Sequence, residues 1–126
     1  MEKSLPQITD AEWLIMKVLW EKSPLKNREI VEAVSKKSSW SNKTIETLLK
    51  RLVDKGAVGY NHANSKAREY YPVVSQEECI RVENETFLKK VYDGSVSMMM
   101  ANFLKHQKLS REEIQKLKRM IDENDE

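Results

Sequence analysis

Between Ser41 and Gly56 the chain reads SNKTIETLLKRLVDKG, and side chains able to touch nucleic acid recur there at helical spacing. On a helical wheel Lys43, Thr47 and Lys50 centre one face, with Thr44 and Arg51 on one flank and Glu46 toward the other. Lysine and arginine can neutralise phosphates, while a threonine offers a hydroxyl to a base edge and a methyl to thymine, so this face suits duplex DNA. Ser41 and Asn42 precede Lys43 at the N-terminal end, where free amides and the helix dipole favour a phosphate. Further along, His62, Lys66 and Arg68 would add contacts to the DNA backbone. The predicted DNA-contacting set is Ser41, Asn42, Lys43, Thr44, Glu46, Thr47, Lys50, Arg51, His62, Lys66 and Arg68. A plain solvated face is the competing reading of the same residues.

The distribution of charge favours the first reading. From Lys36 to Arg68, eight basic residues against Glu46 and Asp54 give a local surplus of +6, although the 126-residue chain carries only +2. A confined positive surface suits an anionic partner better than a uniformly basic protein would. Other chemistry finds little support. His62 and His106 lack neighbouring cysteines and the spacing of a zinc protease, and no glycine-rich phosphate loop is present. Neither catalytic activity nor a cofactor is expected. Cys79, the single cysteine, reads as a small buried hydrophobe and fits a reducing compartment. No apolar run approaches the roughly 20 residues that span a bilayer, and no secretory leader is read before Thr9. The expected location is the cytoplasm, without membrane insertion.

The elements that must hold these residues follow from periodicity and caps. Thr9 to Glu12 has the form of a capping box, opening a helix that is apolar round most of its circumference from Trp13 to Trp20 and ends at Ser23-Pro24. A second helix is predicted from about Asn27 to Lys37, with Ile30, Val31 and Val34 inward. Ser41 caps the third, whose inner stripe is Ile45, Leu48, Leu49, Leu52 and Val53, and Gly56 stands where a helix C-terminus favours positive φ. Two β-prone runs, Val58 to His62 and Arg68 to Val73, flank turn residues Asn64 to Lys66. Three helices followed by a hairpin with a basic tip describe a winged helix, in which the third helix enters the major groove.

Residues 75–126 read as three more helices. Ser75 and Ser110 open capping boxes, Asp93-Gly94 breaks the chain, and the acidic tail is expected to fray from Asp122. So little chain cannot enclose a core of its own, yet it is rich in apolar side chains. Burying each would contribute roughly 1.5–3 kcal/mol, which points to a second copy as their cover. The predicted interface is Ile80, Phe87, Leu88, Val91, Val96, Met99, Met100, Phe103, Leu104, Leu117 and Ile121, with Asn84 on the same face as the first of these. Folding back onto the N-terminal half of the same chain is the alternative. The expected architecture is mainly α with a small β-hairpin: a winged helix-turn-helix domain over residues 1–74 and a three-helix dimerisation domain over 75–126. Two other functions share this architecture, a winged helix that docks on an acidic protein and a repressor released by direct binding of a small molecule.

Over nearly its full length the chain resembles the BlaI/MecI family of bacterial penicillinase and methicillin-resistance repressors. The segments that carry the resemblance are ITDAEWLIMKVLW, WSNKTIETLLKRLVDKG, YYPVV and FLKKVYDGSVSMMMANFL. It implies a homodimeric repressor on inverted-repeat, double-stranded operator DNA. It also implies a partner, a membrane sensor protease responding to β-lactams, whose signal leads to cleavage between an Asn and a Phe in the middle helix of the dimerisation domain. Here that bond is Asn102–Phe103. Two departures stand out. Glu46 is negative where some relatives are basic or neutral, and the paired C-terminal cysteines of the copper-responsive branch are absent.

Overall fold

The computed structural model describes residues 5–62 and 67–124. The chain divides into two compact units between Arg81 and Val82, later than the break expected after residue 74. The reason lies in Cys79, which is buried with the core of the first unit.

The first unit begins with α1 (Asp10–Glu21), opened by the anticipated capping box: Glu12 N–H donates to Thr9 Oγ1 and Thr9 N–H to the Glu12 carboxylate. Then come β1 (Leu25–Lys26), α2 (Asn27–Ser35) and α3 (Asn42–Asp54). The hairpin strands β2 (Val58–Asn61) and β3 (Glu69–Pro72) complete it. Ile15, Met16 and Leu19 of α1 meet Ile30 and Val34 of α2 and Ile45, Leu49 and Leu52 of α3, all buried. Being apolar almost all round, α1 also packs its two tryptophans edge to face at 5.3 Å. The Trp20 indole N–H donates to the Val74 carbonyl at 3.0 Å, tying α1 to the chain 54 residues on.

Two details depart from the sequence reading. The second helix ends at Ser35, short of Lys37, and the sheet has three antiparallel strands in the order β1-β3-β2. The third is β1, whose Leu25 and Lys26 pair with Tyr70 and Glu69. Two residues are too few to show a period of two, so the strand is invisible until its partner is in place.

The second unit holds the later part of α4 (Gln76–Tyr92), then α5 (Val96–His106) and α6 (Arg111–Asn124). Asp93 and Gly94 break the chain with φ of +50° and +86°, and Ser95 caps α5 by accepting from Met98 N–H. Ser75 and Ser110 act likewise for α4 and α6, except that Ser75 Oγ itself donates to the Glu78 carboxylate. The helix α6 runs through Asp122 to Asn124. No residue from Val82 to Asn124 is buried.

Candidate nucleic-acid interface

The inner stripe of α3 fixes what its outer face can do. Ile45, Leu48, Leu49 and Leu52 are buried and Val53 half-buried, so the register leaves Ser41, Asn42, Lys43, Thr44, Glu46, Thr47, Lys50 and Arg51 exposed. Ser41 Oγ accepts from Thr44 N–H at 3.2 Å and lies 3.0 Å from the Thr44 hydroxyl. Thr47 Oγ1 donates to the Lys43 carbonyl at 2.9 Å. In this rotamer the hydroxyl proton is occupied, and Thr47 presents its lone pairs and its methyl outward. On the Arg51 flank, Ser41, Lys43, Thr44, Thr47 and Arg51 surround a shallow depression of about 350 Å³.

The cations of the +6 segment are not equivalent. Lys55 Nζ lies 2.6 Å from the carboxylate of Glu12, which is fully buried, and also donates to the Gln7 carbonyl at 2.7 Å. Burial alone would raise the Glu12 pKa, but hydrogen bonds from Lys55 and the Thr9 amide, with the lysine charge, hold it below its ordinary value. This pair joins the end of α3 to the start of α1 and is unavailable to a ligand. Lys36 faces Glu32 at 3.8 Å and Lys37 faces Glu21 at 4.0 Å. Lys50 pairs with Asp54 at 3.3 Å, an exposed contact that opens at a cost of about 0–1 kcal/mol. Lys43 and Arg51 have no ion-pair partner among the described residues.

The hairpin adds a cation held on an aromatic platform. The Arg68 guanidinium lies 4.2 Å from the centre of the Tyr60 ring, and His62 meets the same ring edge-on at 6.1 Å. Arg68 and His62 are exposed; Lys66 lies outside the described residues. Beside Arg68, the pairing of β1 with β3 brings up Lys26 of β1 and Arg28 from the start of α2, and the three cations line one depression of about 660 Å³. Sequence reasoning missed Lys26, Arg28 and Tyr60. The two cations depend on the unseen strand, and Tyr60 gave only a β-prone aromatic as its signal.

The second unit presents a different surface. Ile80, at the end of the first unit, and Phe87, Val91, Val96, Phe103, Leu104 and Ile121 are each 43–63% exposed. Leu88, Met99, Met100 and Leu117 are half-buried. The expected set omitted Met98, Ile114 and Met120, which are exposed apolar side chains as well. Asn102 is exposed beside Phe103 in α5. No cluster of metal-ligating side chains occurs among the described residues, and no helix is long and apolar enough to cross a membrane.

Comparison with known proteins places these features in a family. The profile of the family described as penicillinase repressor matches residues 8–123. The penicillinase repressor of Bacillus licheniformis is 39% identical over 97% of this chain and 94% of its own. The methicillin resistance regulatory protein MecI of Staphylococcus aureus is 31% identical over 96% of this chain and 98% of its own. The solution structure of the DNA-binding domain of the repressor BlaI covers 61% of this chain and 93% of its own, at 39% identity and a TM-score of 0.54. The same values hold for the monomeric form of Bacillus licheniformis BlaI in complex with the blaP half-operator.

Proposed function

This chain belongs to the penicillinase repressor family, and from that premise we propose that it represses transcription as a homodimer gripping an inverted-repeat operator. Each winged helix takes one half-site: α3 reads the major groove through Lys43, Thr44, Thr47 and Arg51, and Arg68 holds the flanking backbone with Lys26 and Arg28. The observation that carries this reading is the division of α3, whose apolar stripe is sealed in the core while its basic and hydroxyl residues all stand outside. That BlaI was solved on a half-operator as a monomer supports one winged helix per half-site.

The dimer rests on the exposed apolar side chains of α4, α5 and α6. With no residue buried from Val82 to Asn124, the described part of this unit has no core of its own, and a second copy supplies one. Tethering makes the second half-site contact intramolecular, so the affinity of the pair far exceeds that of one domain. Release follows from cutting the chain. Cleavage of Asn102–Phe103, under the control of a membrane sensor protease responding to a β-lactam, removes Phe103 and everything after it, including all of α6. The severed dimer contact then returns each winged helix to its weak monomeric affinity.

Gel-shift titration of an inverted-repeat duplex tests the reading face. Thr47→Ala and Lys43→Ala are expected to weaken specific binding roughly five- to a hundredfold while helix content holds. Equal affinity of wild type and both variants would remove α3 from the interface. Treating producing cells with a β-lactam and searching for a fragment ending at Asn102 tests release; derepression without that fragment would assign release to another route.

A further inference from the structure

We propose that Glu46 determines specificity by selecting cytosine at one position of each operator half-site, an inference that rests on the DNA-reading role given above to α3. Glu46 is exposed on the second turn of that helix. Its natural partner is Lys50, four residues on, in the order of charges that stabilises a helix best. Yet Lys50 reaches forward to Asp54 at 3.3 Å, and the Arg68 guanidinium rests on Tyr60. The Glu46 carboxylate is left without an ion pair or hydrogen bond among the described residues, facing a groove of about 320 Å³ whose polar lining it shares with Asn27, Tyr60, Arg68 and the Lys50–Asp54 pair.

An unpaired carboxylate carried into the major groove is repelled by phosphates unless a donor meets it. It accepts hydrogen bonds and donates none. Guanine presents two acceptors there and thymine one, so both are disfavoured opposite Glu46. Adenine offers an amino group beside the N7 acceptor. Cytosine offers its N4 amino group with no acceptor alongside, which makes it the base an ionised glutamate fits best. Lys43 and Lys50 on the adjoining face keep the whole helix attractive to DNA, so Glu46 selects among sequences without forbidding binding.

The test is selection of duplexes from a random pool by the full chain and by Glu46→Gln at the same salt concentration. Wild type is expected to enrich cytosine about tenfold over guanine or thymine at one position, repeated symmetrically in both half-sites. Glu46→Gln should lose that preference and move toward adenine, whose N6 and N7 match a carboxamide, while every other position stays as it was. Recovery of an unchanged motif by the variant, including a case where it binds all duplexes more tightly, overturns the inference and reduces Glu46 to general repulsion. If neither protein enriches any motif, the inference falls together with the DNA-reading role of α3.

Discussion

Lys50 and Lys55 stand five positions apart near the end of α3, and their surroundings give them unlike work. Lys50 sits on an exposed pair that a phosphate can displace, whereas Lys55 secures a buried carboxylate. Removing Lys55 leaves Glu12 charged and uncompensated, so Lys55→Met is expected to destabilise the fold by about 3 kcal/mol, read by urea unfolding. Lys50→Met should change stability by less than about 1 kcal/mol. The Glu12 carboxyl titrates below its ordinary 4.5 when folded. Its contribution is therefore complete above the unfolded value and is lost as pH falls through the lower, folded one. Unfolding titrations of wild type and Glu12→Gln should converge on acidification below pH 4.5; a constant difference down to pH 2 would contradict this account of the pair. Glu12 was legible as a capping residue. Its second role was not, because Lys55 lies 43 positions away and only the packing of α1 on α3 brings the two together.

Helices in this chain announce themselves because their signals are local. The cap at Ser41, the stripe from Ile45 to Leu52 and the stop at Gly56 all appear within one short stretch of sequence, and α3 forms there. Its end is closed by paired hydrogen bonds, Gly56 N–H to the Val53 carbonyl at 3.1 Å and Ala57 N–H to that of Leu52 at 2.9 Å. Gly56 adopts φ of +83°, and a Cβ there would meet nothing within 4 Å. The cost of Gly56→Ala is thus purely torsional, about 1–2 kcal/mol of stability with the operator motif unchanged. A shifted motif would mean that the C-terminus of α3 also sets its reading register. By contrast, β1 has no local signature, and with it the cations at Lys26 and Arg28 went unread. Arg28→Ala is expected to weaken binding to all sequences alike and lower the salt slope by about one; a changed sequence preference would refute the backbone role.

At the scale of the whole molecule, the first unit encloses its own core and the second does not. Sequence composition foretold the imbalance, since residues 75–126 hold more apolar side chains than three short helices can cover. In the proposed dimer, which side chains cover one another is set by a second chain, which a single sequence does not describe. The proposed dimer makes Phe103 a sensitive position. Phe103→Asp places a charge on the helix face that Phe103 shares by spacing with Met99 and Met100 and is expected to give a folded monomer, by sedimentation, whose operator affinity falls at least a hundredfold. Sedimentation of the intact protein with a labelled duplex, at about 0.15 M salt, tests the central claim most directly. Two chains should assemble together on a duplex carrying an inverted pair of half-sites, from a dimer already present without DNA. A chain that sediments as a monomer and binds unrelated duplexes equally well would contradict the account.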